Sequence, residues 1–371
     1  MKRTLNIVSF NVPYPPDYGG AIEVFYKLKS LSEAGVKIYL HTFEYGRGKQ
    51  AELENYCEKV FYYPRKRSLF KGLGLTPYIV ASRKTRSLID NLNEIQAPVL
   101  FEGIHSTYPL RSSRFKPTRT LVRMHNLEDQ YYRGLAKTEP NALKKFFYRV
   151  EALKLKRYQK ILKKCDQVLS ISPSDQVFLS ESLGVDSSFL PAFHPNERLL
   201  HLEKKGYFSL FHGDLSVWDN LKAARYLADV FSKLDLSLIV AGRTDDRKLL
   251  QKVEEAKNIQ FIPLENQDQL NDLIQRAHIN VFWSENSAGI KIRLLNALFN
   301  GRYCLVNSPM VRGSGLEGLC EIADDEKTLI FKLIQLMDKE FSKEMYLKRK
   351  DGLEPYDKKR NTERLLRMIY P

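Results

Sequence analysis

Short apolar runs rich in β-branched and aromatic residues take turns with helix-length amphipathic segments from one end of the chain to the other. In the first half TLNIVSF, VKIYLHTF, KVFYY, PVLFEG, TLVRMH and QVLSIS read as strands, with helices over 21–34, 82–93 and 141–164. In the second half FSLFHG, LSLIVAG, IQFIP, INVFW and YCLVN read as strands, separated by helices over 220–234, 247–256 and 267–277. Strands apolar on both faces need cover on both sides, and their regular alternation with helices predicts parallel sheets. The segment PAFHPNERLLHLEKK, with two prolines and a charged tail, interrupts the series and reads as an interdomain connection. A chain of 371 residues fits two cores of ordinary size. The expected fold class is therefore α/β, with two doubly wound, Rossmann-like parallel-sheet domains facing a cleft. Their expected bounds are 1–195 and 196–340. A charged helical segment, 341–371, interrupted by Gly352 and Pro355, is expected to cross back to the first domain.

Composition narrows the class. The chain is 43% apolar and 28% charged, as in soluble globular proteins, and no apolar run approaches the ~20 residues that span a bilayer. The basic start MKRTLNIVSFNVPYPP runs into prolines without a cleavage site, so it does not read as a signal peptide. Cys57, Cys165, Cys304 and Cys320 are far apart, without metal-ligand spacing, and read as reduced residues of a cytoplasmic protein. The net charge of +15 points to an anionic partner, or serves solubility alone. Nucleic acid is disfavoured, because no recognition motif or aromatic-basic platform is present. Leu143–Lys164 holds nine Lys or Arg and one acid, Glu151, with Phe146, Phe147, Val150 and Leu153 on one side. It reads as a surface for the inner, anionic face of a membrane, or as an ordinary amphipathic helix with a solvated basic face.

Functional residues in such folds sit in loops after strands. SENSAGIKIRLLNALFNG, from Ser284 to Gly301, carries most: a polar loop meets a glycine and then a leucine-rich helix. A helix start there offers the N–H groups of Gly289 and Ile290 with the positive end of the dipole behind them. Lys291 and Arg293 add cations where the dipole already repels them, which predicts a bound anion, phosphate first. In HGDLSVWDN and AGRTDD, Gly213 permits close backbone approach and Arg243 places a cation at a strand end, while Asp214, Asp219, Asp245 and Asp246 read as helix caps. In the first half, Gly19 and Gly20 open a helix after a proline-rich loop, a weak phosphate-loop signal lacking the G-x-G-x-x-G pattern. Glu102 and His105 lie beyond one strand, and His125, Asn126 and Glu128 beyond the next. Two histidines at adjacent strand ends suit binding a hydroxyl or phosphate or moving a proton. Either alone reads first as a hydrogen-bonded structural residue, and their shared place beyond adjacent strands is what favours a functional one. No cluster has zinc-ligand spacing, so no metal is expected.

Together, the proline-rich loop with Gly19 and Gly20, HNLEDQYY, KLKRYQKILKKCDQVLSISPSD and GIKIRLLNALFNG resemble the retaining GT-B glycosyltransferases of family 4, over nearly the whole chain. The resemblance implies a sugar-nucleotide donor held by the second domain and an acceptor approached from the first. It implies that Lys291 and Arg293 neutralise the diphosphate and that Gly289 and Ile290 contact sugar or phosphate through their N–H groups. It also implies a metal-independent reaction with retention, and places His105 near the reacting sugar as the catalytic residue. Two departures stand out. The paired glutamates of that family fall at Ala288 and Asn296, leaving Asn296 for the ribose and Ser287 or Glu285 for a sugar hydroxyl. Asp214 and Asp219 stand where that family often has Arg and Lys.

The expected function is transfer of a hexose from GDP-mannose or a UDP-hexose to a glycan or lipid-linked acceptor in surface polysaccharide synthesis. No cofactor is expected beyond the nucleotide-sugar substrate. The alternative is a catalytically silent GT-B protein that binds nucleotide or glycan beside an active enzyme. A sugar-nucleotide epimerase of the same fold is a third reading.

Overall fold

The computed structural model describes residues 3–66, 74–202, 204–287 and 289–371. The chain divides into two compact units, Met1–Pro195 with Ala288–Ile290 and Pro355–Pro371, and Asn196–Ser287 with Lys291–Glu354.

The first unit runs β1 (Thr4–Ser9), α1 (Gly19–Glu33), β2 (Lys37–Glu44), β3 (Lys59–Pro64), α2 (Tyr78–Ala81), α3 (Arg86–Glu94), β4 (Val99–Glu102) and β5 (Thr120–Met124). It continues through α4 (Glu128–Thr138), α5 (Ala142–Tyr158), β6 (Gln167–Ser170), α6 (Pro173–Glu181) and β7 (Ser187–Phe189). The strands form one parallel sheet in the order β3-β2-β1-β4-β5-β6-β7. Successive side chains of a strand alternate between faces, and here both faces are apolar. Phe101 and Val122 join one core with Val8 and Phe43. Leu100 and Leu121 join the other with Leu5, Val24 and Leu28.

The second unit runs β8 (Ser209–His212), α7 (Trp218–Phe231), β9 (Leu238–Gly242), α8 (Arg247–Glu255), β10 (Ile259–Pro263), α9 (Gln267–Arg276), β11 (Ile279–Phe282) and α10 (Ile292–Asn300). It ends with β12 (Tyr303–Val306), α11 (Ser308–Val311), β13 (Glu321–Ile322), α12 (Glu326–Asp338) and α13 (Lys343–Leu353). Its parallel sheet has the order β10-β9-β8-β11-β12-β13. The last helix, α14 (Lys358–Ile369), lays Leu365, Leu366 and Ile369 into the core of the first unit beside Leu5 and Leu28.

Both sheets reverse direction of growth beside their first strand, β1 against β4 and β8 against β11. Loops leaving those carboxyl ends diverge to opposite faces and open a crevice, the usual ligand position in open α/β sheets.

Four elements differ from the sequence expectation. The helix expected over 82–93 is α3, which starts only at Arg86, because Ser82 to Thr85 separate it from the short α2 before it. The long helix ends as α-helix at Tyr158 and tightens to a 3-10 turn over Gln159–Lys164, where Gln159 Nε2 turns inward to donate to Asp129 at 2.6 Å. The strands β7 and β13 carry too few apolar residues, SSF and EI, to stand out in sequence.

Candidate active site

In the second unit Arg293 sits at the switch point. Its Nη1 donates to the His212 carbonyl at 3.3 Å, and its guanidinium lies over the Phe211 and Phe282 rings at 5.6 and 5.4 Å. The Met310 sulfur is a weak further contact at 3.9 Å. Among the described residues no carboxylate forms an ion pair with it. Asp219 acts on it only through its field, because its own oxygens accept from Ser284 Oγ at 2.6 Å and Glu285 N at 3.0 Å. Burial therefore pulls the guanidinium down to about 10, with Asp219 opposing. Beside it, the His212 ring is pushed to about 3 by burial and by Arg293, and its buried Nε2 has no hydrogen-bond partner among the described residues. A guanidinium has five donors, and this one meets a single carbonyl acceptor among the described residues.

Gly213 explains how Arg293 gets there. A Cβ on Gly213 would stand 2.5 Å from Arg293 Nη1, so the guanidinium occupies the space any side chain would need. Sequence reasoning placed both residues in the donor site, and the structure puts them in direct contact. Behind Arg293, α10 starts at Ile292, with half-buried Lys291 as its extended N-cap, and no side chain among the described residues caps it.

The helix start therefore corrects the sequence expectation: Gly289 and Ile290 precede α10 and do not supply its first-turn N–H groups. Gly289 has φ +65°, a left-handed backbone that breaks helical geometry there. A Cβ on it would lie 2.0 Å from Asn126 Oδ1 and 2.9 Å from the His125 carbonyl, so no other residue fits. The departure at Ala288 lies outside the described residues. Ser287 is exposed in the preceding loop.

Other expected donor residues are engaged elsewhere. Arg243 donates to the Leu264 and Glu265 carbonyls at 2.8 and 3.1 Å, beyond β10. Asn296 is buried in an amide ladder, accepting from Asn300 Nδ2 at 2.9 Å and donating to Asn271 Oδ1 at 3.5 Å. Of the four aspartates expected as caps, Asp246 caps α8 through Leu249 N, whereas Asp219 does not cap. It ties the loop after β11 to the start of α7.

In the first unit the switch point holds Glu102, His105, His125 and a buried charge chain. Lys27 Nζ donates to both Glu102 oxygens at 2.7 and 2.9 Å and pairs with Glu23 at 3.0 Å. Glu23 accepts from Arg123 Nε at 2.8 Å, and Arg123 also donates to the Ser170, Leu190 and Pro191 carbonyls. At the other end Glu102 meets His125 Nε2 at 2.8 Å. Burial alone would raise both carboxyls, but Arg123 and Lys27 hold Glu23 at about 2, and Lys27 and His125 hold Glu102 below its ordinary value. Each charge is paired, so the chain tolerates complete burial. It fixes which edge of the His125 ring turns inward. The sequence signal for it was modest: Glu23 and Lys27 share the apolar face of α1, and Arg123 interrupts the apolar run TLVRM.

His105 lies in a 3-10 turn after β4. Its buried Nδ1 has no hydrogen-bond partner among the described residues, and burial together with Arg83 keeps the ring far below its ordinary value, hence neutral. Gly103, at φ +70°, makes room for it: a Cβ there would sit 2.8 Å from that nitrogen. The Phe10 ring packs on His105 and His125 at 5.2 and 5.3 Å, so both expected histidines flank one aromatic side chain. Phe10 also covers Gly20, whose Cβ would meet its ring at 2.7 Å. That glycine serves close packing inside the protein, one residue after Gly19 begins α1. Glu128, in the first turn of α4, is buried, and burial lifts its carboxyl to about 7 although Asn126 and Arg83 oppose the rise. Among the described residues no three His, Cys, Asp or Glu side chains group closely enough to hold a metal ion.

Residues 208–339 match the family model described as Glycosyl transferases group 1. Most of that stretch belongs to the second unit. A Klebsiella pneumoniae relative, an uncharacterized 44.6 kDa protein in the cps region, is 27% identical over 328 residues, 83% of this chain and 84% of its own. Among solved structures, a TarM variant of S. aureus is similar with a TM-score of 0.69 and 9% identity, each chain covered completely. WaaG, a glycosyltransferase of lipopolysaccharide biosynthesis, is similar with a TM-score of 0.66 and 11% identity over 99% of both chains. The shared fold is GT-B.

Proposed function

We propose that this protein transfers a hexose from a nucleotide-sugar donor, GDP-mannose or a UDP-hexose, to a glycan or lipid-linked acceptor, without a metal ion and with retention. The observation that carries the reading is Arg293, a largely desolvated guanidinium with one carbonyl partner at the switch point of the unit that matches the glycosyltransferase model. With Lys291 and the open N–H groups at the start of α10, it favours the charge that builds on a diphosphate as the sugar leaves. Fixed cations thus take the part that a divalent ion plays in other transferases. Neutral His105 is able to accept from or donate to a sugar hydroxyl without a charge of its own. The relative's place in a cps region agrees with an acceptor in polysaccharide synthesis.

A second reading follows from Asn296. Its amide is held by Asn300 and Asn271, and no carboxylate stands at that position to grip a ribose. A protein that binds nucleotide without turnover fits that feature. Incubation with a panel of sugar nucleotides and lipid-linked or soluble glycan acceptors, with and without chelator, decides between them. The proposal predicts chelator-insensitive transfer with an unchanged anomeric configuration by NMR. Nucleotide binding without transfer or hydrolysis across the panel would instead select the silent protein.

A further inference from the structure

The helix α5 has two apolar sides, and only one is used. Ala152, Leu155 and the acid Glu151 turn into the first unit. On the opposite side Leu143, Phe146 and Leu153 are 82%, 68% and 62% exposed, with Phe147 beside them at 39%. Leu143, Phe146 and Leu153 follow one another at intervals of three and seven residues, which return to one face of the helix, and Phe147 flanks that stripe. The core does not need this stripe, which separates it from an ordinary amphipathic helix.

Charge around the stripe has one sign. Glu151, the one acid among nine cations in Leu143–Lys164, is buried, where it accepts from Tyr78 N at 2.5 Å and pairs with Lys154 at 2.9 Å. Beside the stripe, α4 and α5 form an open groove of about 400 Å³ lined by Arg133, Lys137, Lys145, Arg149 and Ala136. Arg133 pairs with Asp129 at 3.0 Å; among the described residues no carboxylate pairs with the other three cations. Those three cations repel each other unless an anion joins them.

We propose that the α4–α5 hairpin docks on an anionic phospholipid bilayer. Leu143, Phe146 and Leu153 enter the boundary between headgroups and acyl chains, and a lipid phosphate occupies the groove between Lys137, Lys145 and Arg149. Apolar side chains edged by long basic stems suit that boundary, where the stems lie along the acyl region while the charges stay at headgroup level. An acidic protein surface would match the charge. It would leave three large, widely exposed apolar side chains without the apolar layer that a bilayer offers along the whole stripe.

Cosedimentation of the intact chain with phosphatidylglycerol–phosphatidylcholine vesicles, and with phosphatidylcholine vesicles alone, tests this. No sugar nucleotide or acceptor is present, so the result stands apart from the question of transfer. The expected result is salt-sensitive binding to the anionic vesicles only. Lys145→Ala with Arg149→Ala should lower the partition coefficient about thirtyfold, from roughly fivefold per basic residue near such a surface. Phe146→Ser should also lower it. Lys233→Ala with Lys252→Ala, which removes equal charge from the second unit, should leave partition unchanged. Thermal unfolding of each variant confirms that the fold persists. Absence of binding to anionic vesicles, or equal losses from both lysine-containing pairs, would overturn the proposal.

Discussion

Gly213 and Arg293 act as one device. The glycine leaves a hole, and the guanidinium fills it while resting on two phenyl rings and a single carbonyl. Gly213→Ala puts a methyl group within 2.5 Å of Nη1, and because the obstructing atom ends a flexible side chain, the cation moves and the backbone stays. The expected outcome is near-parental thermal stability with a loss of kcat/KM on the order of a hundredfold, the scale of losing one preorganised donor. Unchanged kcat/KM would take Arg293 out of the chemistry. Glu128 lends itself to a test by pH. Burial raises its carboxyl from 4.5 to about 7, so between those values the folded protein keeps a proton that the unfolded chain has released. Stability therefore falls as pH rises across that window, by on the order of 3 kcal/mol in all. Denaturant titration of Glu128→Gln should show that fall removed; parallel curves for parent and variant would contradict it. At this scale the sequence named Gly213, Arg293, Glu102, His105 and His125, because glycine and charge at strand ends are visible in one dimension. It missed Lys27 and Arg123, whose partners lie 75 and 100 residues away, a distance that no local pattern encodes.

Among the elements, eleven expected strands appear in their expected places because each is a compact apolar run bounded by turns. The start of α10 was less legible. Composition runs smoothly from Gly289 into the leucines, but φ +65° at Gly289 and an extended Lys291 delay the helix to Ile292. Helix α1 shows the opposite limit: its pattern was plain and its buried charges were not. Lys27 stands between two carboxylates, and Lys27→Met would leave buried Glu23 and Glu102 without the cation that pairs with both. Such a break in a buried network costs about 3–5 kcal/mol. The denaturation midpoint of the variant should drop accordingly, and a shift equivalent to less than 1 kcal/mol would show that the chain is not electrostatically coupled.

For the molecule as a whole, the alternation of strands and helices announced two parallel sheets, and both have them, each reversing beside its first strand. The return of 355–371 to the first unit depends on α14 placing Leu365 and Ile369 beside Leu5, a pairing across the length of the chain. The +15 net charge left an anionic partner and solubility alone both open, and an anion has two candidate seats. They are the nearly unpartnered Arg293 and the basic groove of α4 and α5. The central claim is that the start of α10 takes a diphosphate. Isothermal titration of the intact chain with UDP and GDP, set against UMP and GMP and repeated with Lys291→Ala/Arg293→Ala, tests it most directly. The expected result is that one diphosphate binds, that its monophosphate binds at least tenfold more weakly, and that the double variant erases the difference. Failure of both diphosphates to bind, or equal binding by parent and variant, would contradict it.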